Sequence, residues 1–177
     1  DLKGFYQQKN IRTALNAIEV LEQYSQLTFS KCIEALEEVV ELTGLLGRWQ
    51  YFSTEPLTIL DTAHNEEGIK EVRRNLEAEE YDSLHIIFGM VKGKNYTDVL
   101  QMFPADGIYY LVAPEVPRGL DVDVLKQACD ELGYKSEVYK SIGEAYKTAQ
   151  QNAKRGDCIF VGGSTFTVAD FLRNQAD

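Results

Sequence analysis

An apolar run from Leu57 to Leu60 delivers Asp61, His64 and Asn65 into one short loop, with Gly68 close behind. A carboxylate, an imidazole and an amide so grouped suit a charged ligand. Asp61 can accept a hydrogen bond from a ribose hydroxyl or position a metal-bound phosphate, and His64 can donate to a carboxylate or phosphate. A plainer reading is equally open, in which His64 and Asn65 cap the next helix. Gly162-Gly163-Ser164 stands ahead of another amphipathic run. The unpaired N–H groups and aligned dipoles of a helix N-terminus favour an anion there, and the Ser164 hydroxyl either adds a donor or serves as an ordinary N-cap. Lys92 and Lys94, beside Gly89 and Gly93, can meet a phosphate or carboxylate or stand in a solvated loop. His85 lies inside Leu84-His85-Ile86-Ile87-Phe88 and reads as a core or edge histidine with no chemical role.

The elements that must position these residues alternate between strand-like and helix-like. Apolar runs at Leu57–Leu60, Leu84–Phe88, Ile108–Val112 and Cys158–Val161, and a more polar one at Ser136–Tyr139, read as strands. Amphipathic stretches at Gly68–Leu76, Tyr96–Met102, Val122–Leu132, Ile142–Ala153 and Phe166–Leu172 read as the helices between and after them. This pattern predicts an α/β fold, a Rossmann-like three-layer sandwich with five parallel strands. Trp49–Phe52 adds a possible antiparallel edge strand. In such a sheet ligands bind beyond the carboxyl ends of the strands. The loops beginning at Asp61, Gly89, Ala113 and Gly162 all come after strands at that end and share one rim.

Ahead of the sheet lies a helical segment that ends near Gly44 to Gly47. Asn10–Gln26 places Ile11, Leu15, Ile18, Val20 and Leu21 at near-helical spacing, and Ser30 is predicted to cap a second helix carrying Ile33, Leu36, Val39, Val40 and Leu42. Two helices bury little apolar surface by themselves, so they read as the tail of another domain or as an appendage packed on the sheet and its helices.

With 177 residues, 28 acidic and 18 basic, the chain carries a formal net charge of −10. Its positive residues are scattered apart from Arg73-Arg74 and the Lys92/Lys94 pair, which argues against nucleic-acid binding. No apolar run approaches the roughly 20 residues that span a bilayer, and the first residues lack a signal-peptide pattern, so a cytoplasmic location without membrane contact is expected. Cys32, Cys129 and Cys158 show no metal-ligand or redox spacing and are expected to be buried free thiols. No metal is assigned to this chain, and a monomer is expected.

Gly47-Arg48, Pro56, Leu60-Asp61-Thr62-Ala63-His64-Asn65, Phe88-Gly89-Met90-Val91-Lys92 and Gly162-Gly163-Ser164, in this order, resemble the C-terminal domain of folylpolyglutamate synthase and dihydrofolate synthase, members of the Mur ligase superfamily. Gly4-Phe5-Tyr6-Gln7-Gln8-Lys9-Asn10 and its helix are similar to the end of that family's central ATPase domain. The resemblance therefore covers the whole chain. It implies residues 1–46 as the helical tail of the central domain and residues 47–177 as the C-terminal glutamate ligase domain.

The activity so implied is ATP-dependent ligation of an acid to an amino acid. ATP phosphorylates the γ-carboxylate of a folate's glutamate tail or the carboxylate of dihydropteroate, and the amine of L-glutamate then displaces phosphate. ATP and Mg2+ are implied for the full-length enzyme, neither held tightly by this chain. By the same resemblance Asn10 meets the adenine, Arg48 the phosphates, and Asp61 the ribose or its neighbourhood. His64 meets the phosphate or the incoming glutamate and is the candidate catalytic residue. Ser164 holds the glutamate carboxylate, with Lys92 as a further candidate. Arg48 suits its task because a guanidinium stays charged and binds oxyanions in a bidentate fork.

The sequence departs from the family in lacking a Gly-x-x-x-x-Gly-Lys-Ser/Thr phosphate loop, the central-domain magnesium ligands and the modified lysine. The expectation is a fragment beginning inside the central domain, inactive alone. A smaller departure is Lys92-Gly93-Lys94-Asn95, where the family usually has acids at the second and fourth places. Two other readings are a stand-alone, non-enzymatic Rossmann-like binding or interaction module and another Mur-superfamily amino-acid ligase. The Asp-x-Ala-His-Asn form favours the folate branch over the latter.

Overall fold

Two strands buried along their whole length, β3 (Leu84–Phe88) and β6 (Cys158–Gly162), occupy the middle of a six-stranded sheet in this computed structural model, which describes residues 1–176. Continuous apolar sequence suits strands covered on both faces. The other strands are β1 (Gln50–Thr54), β2 (Leu57–Leu60), β4 (Ile108–Leu111) and β5 (Lys135–Val138), and the sheet order is β1-β2-β6-β3-β4-β5. Only the β1–β2 pair is antiparallel. The predicted five parallel strands with an antiparallel edge strand are thus present.

Alternate side chains of the strands feed two cores. On one face Ile59, Ile86, Phe88, Tyr109 and Phe160 pack with Ile69 and Val72 of α4 (Glu66–Leu76), Val99 of α5 (Tyr96–Met102) and Leu125 of α6 (Val122–Glu131). On the other, Leu60, Ile87, Tyr110, Ile159 and Val161 pack with Ala145 and Tyr146 of α7 (Ile142–Asn152) and Val168 and Phe171 of α8 (Thr165–Ala176). The result is a three-layer sandwich. Among the described residues no helix is long and apolar enough to cross a membrane.

The helical segment differs from its sequence reading. It contains α1 (Gln7–Glu22), α2 (Phe29–Glu37) and a short α3 (Val39–Thr43). Ser30 lies inside α2 and Thr28 is the N-cap residue, without a side-chain cap bond. The first donor of the helix is met instead by Glu22, whose Oε1 accepts from the Phe29 amide at 3.0 Å, so a carboxylate from the preceding helix displaces the local cap. The Asp1 carboxylate likewise accepts from the Val40 amide at 2.6 Å, in the first turn of α3. Residues 5–9 are fastened to α4: the Phe5 amide donates to Asn75 Oδ1 at 2.9 Å, and Lys9 pairs with Glu71 at 2.7 Å. Val20, Leu21, Tyr24, Leu27 and Leu42 remain exposed.

Two thiols are buried as expected, and burial pushes Cys129 up to about 11 and Cys158 up to about 12, leaving them unreactive at neutral pH. Cys32 departs from the expectation and is half-buried, because α2 presents it to the thin helical layer and not to either core.

His85 is a core histidine. Its Nδ1 lies 2.9 Å from the Tyr110 hydroxyl and its Nε2 3.3 Å from Asp157 Oδ2, which also accepts from the Lys154 amide at 2.8 Å. Burial opposes ionisation of Asp157, but the Lys154 amide and His85 outweigh it and hold the carboxyl below the usual carboxylate range. A depressed carboxyl contributes stability at neutral pH that is lost as pH falls through its folded-state pKa. His85→Leu leaves Asp157 and Tyr110 each short of a partner and is expected to cost about 1–2 kcal/mol. Urea unfolding at pH 7 and at about pH 2.5, below the usual carboxylate value, checks this, with the deficit smaller at the acid pH.

Candidate functional site

The turn ahead of β1 sets the first wall of the site. Gly47 has φ +70°, and a Cβ there would stand 2.7 Å from Thr62 Cγ2, so the chain passes flush against the loop after β2. The Gly47 carbonyl accepts from the Thr62 amide at 2.9 Å. Trp49 has φ +49°, a left-handed conformation costly for a bulky side chain. Arg48, between them, is exposed.

Behind this turn lies Asp61, 1% exposed. Its Oδ2 accepts from the Tyr6 hydroxyl at 2.7 Å and the Trp49 amide at 2.9 Å, and its Oδ1 from the Ala63 amide at 2.8 Å. Burial raises the Asp61 carboxyl above its ordinary range, against the pull of those three donors and of the Arg48 charge. These bonds make Asp61 a knot that joins three segments.

His64 and Asn65 divide their work. Asn65 caps α4, its side chain accepting from the Gly68 amide at 2.8 Å. The His64 Nδ1 stands 3.2 Å from the Thr62 carbonyl. A carbonyl only accepts, so Nδ1 carries the proton in that bond and Nε2 remains the nitrogen available to a ligand.

Ser164 serves as the N-cap of α8. Thr167 Oγ1 donates to the Gly89 carbonyl at 2.8 Å and accepts from the Ser164 hydroxyl at 2.8 Å, while Ser164 Oγ accepts from the Thr167 amide at 3.0 Å. The hydroxyl is consumed as an N-cap, tying the start of α8 to the loop after β3. What Ser164 offers an anion is its place at a helix N-terminus, where backbone amides lack helical partners.

Two cavities meet along this rim. The first, about 500 Å³, brings Asn10, Arg48, Asp61 and His64 together with Tyr6 and Lys9. The second, about 260 Å³, gathers His64, Lys92, Lys94, Arg118 and Ser164 with no carboxylate in its lining. His64 belongs to both. Arg118 went unnoticed in the sequence: the Lys92 amide donates to its carbonyl at 2.8 Å, and its guanidinium lies 4.8 Å from the centre of the Phe166 ring. Among the described residues no group of three or more His, Cys, Asp or Glu side chains is placed to hold a metal ion.

Residues 47–165 match the sequence model of one family, described as Mur ligase, glutamate ligase domain. The chain belongs to the Mur ligase family. Among curated relatives of this Mur ligase chain, the dihydrofolate synthase/folylpolyglutamate synthase of Escherichia coli is 29% identical over 167 residues, 93% of this chain and 37% of the relative. A solved bifunctional folylpolyglutamate synthase/dihydrofolate synthase with Mn, AMPPNP and L-glutamate bound superposes with a TM-score of 0.67 at 26% identity, covering 75% of this chain and 32% of that one. Mycobacterium tuberculosis folylpolyglutamate synthase, complexed with ADP and AMPPCP, shares the fold at a TM-score of 0.82 over 99% of this chain and 41% of that one, at 21% identity. The Mur ligase chain spans two fifths or less of the length of each curated relative it matches.

Proposed function

We propose that this chain is the C-terminal part of a cytoplasmic, ATP-dependent ligase that joins L-glutamate to a folate or pteroate, and that its two cavities are half of the interdomain site. The observation that carries the reading is the juxtaposition at His64 of a mixed-polarity cavity large enough for a nucleotide and a smaller one lined only by basic and neutral groups. In a chain of net charge −10, such a basic cavity suits the two carboxylates of free glutamate.

In this reading residues 1–46 belong with the preceding ATPase domain, which covers the exposed apolar face of Val20, Leu21, Tyr24, Leu27 and Leu42. Asn10 and Arg48 hold adenine and phosphate. Lys92, Lys94, Arg118 and the first amides of α8 hold the incoming glutamate. ATP makes the acceptor carboxylate an acyl phosphate, since a free carboxylate is a poor electrophile. The glutamate ammonium must lose a proton before its nitrogen attacks. His64 Nε2, left free by the Nδ1 bond to Thr62, is placed at the junction of the cavities to take that proton. Divalent metal accompanying the nucleotide takes its protein ligands chiefly from the preceding ATPase domain.

The 177-residue chain alone is expected to show no ATP consumption with tetrahydrofolate or dihydropteroate and glutamate, whereas the whole ligase consumes ATP only when acceptor and glutamate are both present. Robust turnover by the isolated chain, or glutamate-independent turnover by the whole ligase, tells against the proposal.

A further inference from the structure

The N-terminal segment touches α4, the turn ahead of β1 and the loop after β2 around one carboxylate. The Phe5 amide and Lys9 are fastened to α4, and a Cβ on Gly4 would stand 2.7 Å from the Tyr6 ring and 3.1 Å from Trp49 Cβ, so segment and turn run in contact. Between these contacts the Tyr6 hydroxyl reaches across 55 residues of sequence to Asp61 Oδ2, the oxygen that also receives the Trp49 amide. Tyr6, Lys9 and Asn10 form one wall of the first cavity, and Arg48 stands on the wall beside Asp61 and His64. Asp61 Oδ2 thus receives one donor from each wall.

We propose that Tyr6 is a positioning residue: by holding Asp61, its hydroxyl registers the N-terminal segment against the Gly47-Arg48-Trp49 turn and so sets where Arg48 stands in the first cavity. The reason lies in the turn itself. Trp49 adopts a left-handed backbone that a bulky residue keeps only when its surroundings over-determine it. The amide of that residue is captured by Asp61, and Asp61 is in turn oriented by Tyr6. With the Tyr6 donor gone, Oδ2 keeps one partner, and the carboxylate and the turn attached to it are free to shift relative to Asn10. A guanidinium that binds oxyanions as a fork is sensitive to such a shift, because both of its bonds need the same orientation.

The inference rests on the proposed reading of the first cavity as the nucleotide site. In the whole ligase, Tyr6→Phe is expected to raise the KM for ATP about tenfold while kcat and the KM for glutamate stay within about twofold. A loss of folded protein alone would lower kcat and leave both KM values in place. Because Tyr6 acts through Arg48, Tyr6→Phe combined with Arg48→Ala is expected to be no worse than Arg48→Ala alone. An unchanged KM for ATP, or effects that multiply in the double variant, overturns the proposal. Hydrogen exchange at the Trp49 amide, read on the same preparations, needs no catalysis and separates the two readings. Faster exchange in Tyr6→Phe supports the latch even if the wild-type ligase shows no ATP turnover, an outcome that would sink the functional reading instead. Equal exchange rates sink the latch. Should Tyr6→Phe not fold, fast exchange of the Trp49 amide in the folded wild-type protein overturns the proposal, and slow exchange supports it.

Discussion

Asp61→Ala is expected to destabilise the chain by about 2–4 kcal/mol at neutral pH with no nucleotide present, an effect that a residue kept only for ligand contact would not have. Three donors lose their acceptor at once: the Tyr6 hydroxyl and the amides of Trp49 and Ala63. Bonds to a charged group are worth roughly 1.5–3 kcal/mol each, so their sum exceeds the expected loss. The offset is the cost of holding a carboxylate out of water, which the raised carboxyl of Asp61 registers. A carboxyl whose folded-state pKa is raised contributes stability fully present below its unfolded pKa and lost as pH rises through the folded one. The advantage of wild type over Asp61→Ala therefore narrows as pH rises above about 4. Denaturant midpoints across that range measure both the size and the sign. A loss below about 0.5 kcal/mol at every pH would leave ligand contact as the role of Asp61.

Arg48→Ala is expected to do the opposite: stability within about 0.5 kcal/mol of wild type, and a fall of about 10–100-fold in kcat/KM for ATP in the whole ligase. The side chain is exposed and has no ion-pair partner among the described residues. Its removal leaves no buried group without a partner. What is lost is a charge-assisted fork on a phosphate, worth about 1.5–3 kcal/mol. Unfolding curves and initial rates on the same preparations test the contrast. An Arg48→Ala ligase with unchanged kcat/KM removes Arg48 from the site, and with it the route by which Tyr6 is proposed to act.

The parallel sheet was legible because β2, β3, β4 and β6 are apolar runs bounded by turn residues, a signal that needs no distant partner. The edge strand β5 was read one residue late, Ser136–Tyr139 against Lys135–Val138, since only its pairing with Ile108–Leu111 fixes its register. At the start of α2, Ser30 looked like the cap because the competing carboxylate of Glu22 comes from another helix. The rim came from fold rules once the strands were placed, and Arg48, His64 and Lys92 lie on it. Arg118 stayed hidden because nothing local indicates that the chain after β4 folds back to meet the loop after β3, where Val91 pairs with Gly119. The spent hydroxyl of Ser164 becomes visible only with Thr167 and the Gly89 carbonyl beside it. The Tyr6–Asp61 bond joins residues too far apart for any spacing rule.

The position of β6 between β2 and β3 has a consequence for how the protein is made. Residues 158–161 pair with 57–60, and residues 158–162 pair with 84–88, so the centre of the sheet is the last strand of the described chain to leave the ribosome. Until it arrives, the inner edges of two apolar strands lie unpaired, and such edges are templates for association with other chains. The long separation between partners also slows their closure. A nascent chain halted before residue 158 is accordingly expected to be held by chaperones or to aggregate. The rim, which needs the loop after β6, takes shape only once that loop has emerged.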